Sequence, residues 1–258
     1  MRDVKIAHFV EDEKFPDAAY DAFEEVMPSG NTFFIAKNLG DVKYIKKIPL
    51  VSINRYSFLN PFFLKSLEEY DLVIVHSLSP FNKEIVARAS KKVKFVWIGM
   101  GYDSYDLIYP TFPSMLKPET QELYKTRIHP SSNKRSYLNI PTRIFNRIVY
   151  WKSRNKQKLA KRVDYFAPVL EEEYFLIDRL YPGMVNGFID WNYGVTARLV
   201  EGKTITQEVS GGDILIGNSA SITNNHADIF QLLEKLNLDD DIKIICPLSY
   251  GNKEIKEY

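Results

Sequence analysis

Residues 212–252 read GDILIGNSASITNNHADIFQLLEKLNLDDDIKIICPLSYGN, and this stretch decides the fold class. A short apolar run at 214–216 stops at small polar residues, and Ile229 and Leu233 then recur at helical spacing. A second apolar run at 242–246 favours a buried strand parallel to the first. The pattern therefore predicts a β-α-β unit of an α/β protein, with two small-residue loops at one sheet edge.

The loop before the predicted helix carries the first candidate ligand site. Right-handed crossovers place both loops at the carboxyl ends of their strands, where open α/β sheets bind ligands. Backbone N–H groups and the dipole at a helix start attract an anion, so a phosphate-bearing ligand is expected. Alternatively, an asparagine simply caps the helix and the other residues form a solvent-facing turn. The polar residues are Ser219, Ser221, Thr223, Asn224, Asn225 and His226.

Two motifs in this stretch carry a family resemblance. ILIGNSASITNNH at 214–226 and IICPLSYGNKEIKEY at 244–258 resemble the start of the C-terminal domain of the bacterial 4-acetamido-4,6-dideoxygalactose transferases, glycosyltransferase family 56. Those enzymes move the sugar from a dTDP donor to a polyprenyl-diphosphate-linked acceptor in enterobacterial common antigen synthesis. The resemblance implies a GT-B fold, which has two Rossmann-like domains facing a cleft. It also implies inverting transfer with a nucleotide-sugar donor, no other cofactor and no required metal.

The resemblance assigns the donor site to the two loops and the helix start. Backbone groups and side chains there would stabilise the departing diphosphate, since no carboxylate cluster for a metal is evident in the sequence. The residues expected to bind the donor are Gly217, Asn218, Ser219, Ser221, Asn224, Asn225, His226, Tyr250 and Asn252.

Strand and helix patterns also alternate through the first 190 residues. Short connections favour a doubly wound parallel sheet, which we expect to form an N-terminal, acceptor-side Rossmann-like domain over 1–190. Strands are predicted at 4–10, 32–36, 50–53, 71–76, 94–98 and 163–168, and helices at 18–27, 58–67, 80–90 and 171–180.

Three predicted strand ends carry residues suited to acid–base chemistry. An inverting transfer needs a base that takes the proton from the acceptor hydroxyl. Asp103 is the first candidate, because it follows a Gly-x-Gly turn and the segment around it resembles an aromatic-glycine-aspartate segment of the family. The alternatives are that Asp103 caps the next helix and that each histidine is a hydrogen-bonded structural group. The further candidates for the base are Glu11, Asp12, His8 and His76.

Residues 117–162 form a basic segment, with thirteen Lys and Arg against two Glu. Aromatic and aliphatic residues are interleaved with these charges, and 141–161 reads as an amphipathic basic helix. Such a segment suits an anionic membrane surface or the diphosphate of a lipid-linked acceptor. A solvated helix face is the alternative, and single-stranded nucleic acid is disfavoured because no nucleic-acid-binding motif accompanies the charge. The residues assigned to acceptor or membrane are Arg143, Arg147, Lys152 and Arg154.

Composition limits the remaining choices. The 45% apolar and 26% charged residues of the 258-residue chain are typical of a globular protein. Cys246 is the single cysteine and lies in an apolar run, so we expect a buried, inert thiol. Neither a signal-peptide pattern nor an apolar run of about eighteen residues is present in the sequence. These features predict a cytoplasmic protein that is peripheral on the inner face of the cell membrane.

The domain plan expected from the sequence is a linker at 191–212 and the beginning of a donor-side domain at 213–258. One helix and two strands are fewer than a Rossmann-like core needs, so the resemblance implies an incomplete second domain. A non-catalytic membrane-associated binding module is therefore an alternative to the transferase. A nucleotide-binding Rossmann protein with other chemistry is weaker, because the complete dinucleotide fingerprint does not occur in the sequence.

Overall fold

The computed structural model describes residues 4–11, 14–109, 112–128, 148–193, 202, 212–217 and 219–251. The chain divides into two compact units. The first comprises Met1–Ile108 and Ile140–Gly202, and the second comprises Tyr109–Asn139 and Lys203–Tyr258. The later boundary falls within the predicted linker. The segment 109–139, which we had predicted to belong to the N-terminal domain, is grouped with the second unit instead.

The first unit is built on a six-stranded parallel sheet in the order β3-β2-β1-β4-β5-β6. This arrangement confirms the predicted Rossmann-like α/β fold. Continuous apolar runs form these strands because a parallel sheet is covered on both faces. The strands are β1 Ile6–Val10, β2 Asn31–Ile35, β3 Leu50–Ser52, β4 Leu72–His76, β5 Phe95–Ile98 and β6 Tyr165–Ala167.

Several helices of the first unit begin with a proline or with a side-chain cap. Proline occupies the first turn of three of them, where it loses no hydrogen bond. Asn60 caps α2 through its side chain and Ser79 caps α3 in the same way. The helices are α1 Pro16–Val26, α2 Pro61–Ser66, α3 Pro80–Arg88, α4 Tyr102–Ile108, α6 Lys156–Ala160 and α7 Glu171–Leu180.

Two apolar layers lie on the faces of this sheet. One contains Phe9, Trp97 and Phe166, all of which are almost completely buried. Ile74 and Ile98 belong to the other layer. Alternate residues of β1, β4 and β5 therefore enter opposite layers, as the twofold repeat of a strand requires.

The predicted continuous helix at 141–161 is wrong where the structure describes it. Ile148 and Val149 are helical as predicted, but a 3₁₀ turn at Lys152–Arg154 and the separate helix α6 follow instead of one continuous helix. Asn155 interrupts the two, since its backbone is extended and its Oδ1 atom accepts from the Lys158 N–H at 2.9 Å. Because Asn155 caps α6 in an extended conformation, the 3₁₀ turn before it ends there.

The second unit contains the predicted β-α-β unit. β7 at Ile214–Leu215 pairs in parallel with β9 at Ile244–Ile245, and α8 at His226–Glu234 connects them. The two predicted loops contribute a second parallel pair, β8 at Ser219–Ala220 and β10 at Tyr250–Gly251. Helix α5 at Pro118–Leu123 also belongs to this unit.

The expected burial of β9 is wrong. Ile244 and Ile245 are each 43% exposed, and Leu215 on the paired strand is 69% exposed. The run at 242–246 is apolar and forms a strand as predicted. Few of the described side chains of this unit pack against the two-stranded sheet, so its apolar residues stay exposed. Cys246 is half-buried rather than buried for the same reason. None of the described helices is long and apolar enough to cross a bilayer.

Candidate functional site

The candidate site of the first unit lies at the point where the strand order reverses. β1 pairs with β2 on one side and with β4 on the other, in parallel in both cases. Connections leave β1 and β4 in opposite directions at such a point, and a crevice opens between their carboxyl ends. Glu11 follows β1, and Ser77 to Ser79 follow β4. These residues therefore lie at the carboxyl edge of the sheet, where parallel sheets commonly bind ligands.

A hydrogen bond joins the side chains of Glu11 and Ser79 at this edge of the sheet. Burial raises the pKa of the Glu11 carboxyl above its ordinary value, while a hydrogen bond from Ser79 and the charge of Lys37 partly offset the effect. The Lys37 ammonium also donates to the backbone carbonyl of Glu11 at 3.1 Å. A half-buried carboxylate whose pKa is raised by burial is a candidate for proton transfer. The sequence analysis places Glu11 after Asp103 as a candidate for the base, because the burial that raises the pKa of Glu11 cannot be deduced from its position after a strand.

The turn after β4 is held in an unusual conformation. Ser77 has a φ of 112°, a region that L-residues seldom adopt and that costs about 1–3 kcal/mol. Asn82 holds this turn, since its Nδ2 donates to the Ser77 carbonyl at 3.0 Å and its backbone N–H donates to Ser79 Oγ at 3.1 Å. The N-terminus of α3 is thereby fixed beside the crevice.

The Asp103 carboxylate bonds to the turn after β4, and its hydrogen bonds are structural. Its Oδ2 atom accepts from the Leu78 N–H at 2.7 Å and from Trp97 Nε1 at 2.6 Å. Its Oδ1 atom accepts from the Met100 N–H at 2.8 Å, and the residue is only 3% exposed. Burial raises the pKa of this carboxyl, and these hydrogen bonds act in the opposite direction. Asp103 thus ties the turn after β4 to the turn after β5.

A chain of hydrogen bonds crosses the core of this unit. The amide nitrogen of Asn31 donates to Glu24 at 2.7 Å, so Asn31 Oδ1 accepts from His8 Nε2 at 3.2 Å. His8 Nδ1 is then an acceptor and receives the Nε2 proton of His76 at 3.1 Å. Nδ1 of His76 accepts in turn from the Tyr193 hydroxyl at 3.0 Å. Because a neutral imidazole has one N–H, the partners determine both tautomers.

Both histidines are neutral at pH 7. Burial lowers the pKa of His8 to about 3. The pKa of His76 is also lowered well below its ordinary value, first by burial and then by the neighbouring His8. The His8 ring stacks on Phe33 with a centroid separation of 4.1 Å. Both ring nitrogens of each histidine are used inside the protein, which fits the structural alternative stated for them above.

The predicted linker begins too early. Trp191 stacks on Phe23 with ring centroids 5.1 Å apart, and the Tyr193 hydroxyl reaches His76. Both residues thereby pack against the core of the first unit. The sequence contains aromatic residues at 191 and 193, but the neighbouring glycine and polar residues led to the prediction of a linker.

In the second unit, the predicted donor residues mainly bond to one another. Asn224 Nδ2 donates to the Ser219 carbonyl at 2.9 Å and to Ser219 Oγ at 2.8 Å. Ser221 Oγ and Thr223 Oγ1 are 2.7 Å apart. Asn225 lies at the helix start with a φ of 52°, yet its side chain does not cap α8. The side chains of Ser219, Ser221, Thr223 and Asn224 therefore form hydrogen bonds within the loop.

Asn225 and Asp228 instead cap helix α5. Asn225 Oδ1 accepts from the Lys117 N–H at 2.7 Å. The two carboxylate oxygens of Asp228 accept from the Glu119 N–H at 3.1 Å and the Thr120 N–H at 2.9 Å. These bonds explain why 109–139 belongs to the second unit. Sequence reasoning missed Asp228, because a cap supplied from a residue more than a hundred positions away has no local signal.

A cavity of about 720 Å³ opens between α5 and α8 in the second unit. His226 lines it, and its Nε2 atom has no hydrogen-bond partner. This nitrogen would lie only 2.7 Å from a Cβ atom placed on Gly217, so a side chain at that position would require the imidazole to move. Burial lowers the pKa of His226. The charged residues that line the cavity are Glu119, Glu122, Arg127 and Glu234.

The charges that line this cavity bear on the predicted binding of a phosphate-bearing ligand. Three carboxylates and one guanidinium give the cavity lining a net negative charge, and among the described lining groups Arg127 and the start of α8 are the ones that attract an anion. Among the described residues, no three His, Cys, Asp or Glu side chains are grouped closely enough to hold a metal ion.

Several predicted residues lie outside the described part of the chain. Lys152 is exposed on the first unit. Tyr250 forms β10 through its backbone, but its side chain is outside the description, as is that of Arg154. The other predicted residues outside the described ranges are Asp12, Asn218, Arg143, Arg147 and Asn252.

No family model matches this chain, and no curated protein matches it.

Proposed function

We propose that this protein is an inverting glycosyltransferase of the GT-B type. Its donor is a dTDP-linked 4-acetamido-4,6-dideoxyhexose, and its acceptor is a polyprenyl-diphosphate-linked saccharide at a membrane surface. The observation that carries this proposal is the Glu11–Ser79 hydrogen bond at the strand-order reversal of a parallel sheet. The motif resemblance at 214–226 and 244–258 supports the choice of donor and acceptor.

Glu11 acts as the base in this proposal. It takes the proton from the acceptor hydroxyl as the hydroxyl oxygen attacks the anomeric carbon, and the bond from that carbon to the dTDP oxygen breaks. Glu11 replaces Asp103 as our first candidate, because three N–H donors already occupy the Asp103 carboxylate. Asp103 positions the turns on either side of the crevice.

The second unit binds the leaving diphosphate at the start of α8. The unpartnered Nε2 atom of His226, which is buried against Gly217, and the start of α8, which no side chain caps, support this assignment.

Release of dTDP tests the proposal directly. The protein is incubated with the dTDP-sugar and a polyprenyl-diphosphate saccharide, and Glu11→Gln is compared with the wild type. Loss of one positioned base lowers turnover by roughly a hundredfold or more. Glu69→Gln, an exposed carboxylate of the same unit, is the matched control and retains activity. Full turnover by Glu11→Gln would discard Glu11 as the base, and absence of dTDP release from the wild type would discard the transferase.

A non-catalytic membrane-binding module is the second candidate function. The exposed side chains of Ile148, Trp151 and Lys152 favour it. Vesicle binding without dTDP release from any donor would support this candidate over the transferase.

A further inference from the structure

We propose that Ile148 and Trp151 insert together into the headgroup region of an anionic lipid bilayer and dock the first unit on it. This inference rests on the proposed use of a membrane-embedded acceptor. Vesicle binding is measured without donor or acceptor, so that its failure and the failure of glycosyl transfer are distinguishable.

The two side chains point outwards while their neighbours point into the core. Ile148 is 66% exposed and Trp151 is 59% exposed. Val149 is buried and Tyr150 contacts the same apolar layer, with its ring centroid 5.3 Å from that of Phe58. A spacing of three residues on a helical turn brings the two exposed side chains to one face.

A buried ion pair holds this turn rigidly. Glu84 has no solvent exposure, and its carboxylate accepts from Arg88 Nε at 2.6 Å and from the Ser153 N–H at 3.0 Å. The Arg88 guanidinium also donates to the Val149 carbonyl at 2.9 Å and lies over the Phe58 ring at 5.6 Å. The backbone is thus clamped on both sides of Trp151. Exposure of the two apolar side chains is therefore imposed by the fold.

The charge around this pair complements an anionic surface. From 148 to 163 the sequence contains six Lys and Arg and no Asp or Glu. Lys152, Lys158 and Lys161 are exposed. Tryptophan prefers the boundary between headgroups and acyl chains, and lysine interacts with anionic lipid headgroups. These neighbours select a membrane rather than an apolar protein partner, whose interface core is depleted of lysine.

Phe62 shows that exposure alone does not define such a surface. It is 84% exposed on α2, but the neighbouring Lys65 is paired with Glu68 at 2.7 Å. The local charge there is balanced, so Phe62 lacks the electrostatic attraction that Trp151 has. Phe62→Ser is therefore the matched control for the loss of an exposed apolar side chain.

Sedimentation with vesicles tests the proposal on the full chain. Vesicles of phosphatidylcholine with and without phosphatidylglycerol are compared for the wild type, Ile148→Ser/Trp151→Ser, Lys152→Glu/Lys158→Glu and Phe62→Ser. We expect about tenfold or greater loss of binding for the first double variant. The charge variant loses the preference for phosphatidylglycerol, and Phe62→Ser binds like the wild type.

Fluorescence supplies an independent measurement. Trp97 is completely buried and Trp191 is half-buried, so brominated lipid should quench Trp151 most strongly. Trp151→Phe should remove most of this quenching. Unchanged binding of the Ile148→Ser/Trp151→Ser variant, or quenching that persists in Trp151→Phe, would overturn the proposal.

Discussion

His8 Nδ1 lies 3.1 Å from His76 Nε2, and this contact joins two neutral imidazoles inside the parallel sheet unit. Protonating either ring would place two donors against each other or bury a charge without an anion. The contact therefore makes the folded state sensitive to acid.

We expect the stability to fall as the pH is lowered below about 6.5, the ordinary histidine value. In the folded state the pKa of His8 is about 3, so the unfolded chain binds more protons between these two values. Stability consequently rises with pH across that window, and by linkage His8 alone accounts for about 2 kcal/mol between pH 5 and pH 7. Urea unfolding at several pH values measures the slope. Replacing both histidines with Gln should flatten it, and an unchanged slope would contradict the assignment.

Tyr193→Phe should destabilise the first unit by about 1–3 kcal/mol. The substitution removes the hydroxyl that donates to His76 Nδ1 at 3.0 Å and leaves that buried acceptor unsatisfied. Chemical denaturation measures the loss. Tyr165→Phe provides the comparison, since Tyr165 is 44% exposed, and it should change stability very little. Equal stability of Tyr193→Phe and wild type would show that the hydrogen-bond chain contributes nothing.

Arg88→Met should be among the most damaging substitutions, at about 3–5 kcal/mol. It leaves the fully buried Glu84 carboxylate without its cation and frees the Val149 carbonyl. Glu84→Gln should cost less, because an amide can keep one of the bonds. Lys65→Met breaks an exposed ion pair and serves as the reference, for which little change is expected. Thermal melts of the three variants would refute the argument if Arg88→Met matched Lys65→Met.

Transferase activity should fall as the pH drops through the pKa of Glu11, because only the ionised carboxylate accepts a proton. Burial raises this pKa, and the Ser79 hydrogen bond lowers it. Ser79→Ala should therefore shift the acid limb of the pH–rate profile to higher pH. Ser79 also caps α3, so the rates are compared well below the unfolding temperature. If the acid limb of the Ser79→Ala profile matches that of the wild type, Glu11 is not the base that accepts the proton.

Strand positions were predictable because each strand of a sheet covered on both faces needs a continuous apolar run. The runs at β1, β4 and β5 are bounded by polar or glycine residues, so they were found within one or two positions. The carboxyl-edge location of Glu11 and of the α8 loop followed from the same alternation. The broken chain at 152–160 was not predictable from periodicity, because Asn155 competes locally as a cap.

What the sequence by itself determined is the class of the fold and the edge of the sheet that carries polar groups. Only the tertiary structure decided which groups meet. His8 and His76 are 68 positions apart, and Tyr193 is 117 positions beyond His76. Three N–H groups donate to the Asp103 carboxylate in the folded protein. Burial raises the pKa of the Glu11 carboxyl. Burial and hydrogen-bond partners depend on segments distant in the chain, and for this reason local patterns predicted the scaffold but not the chemistry of each carboxylate.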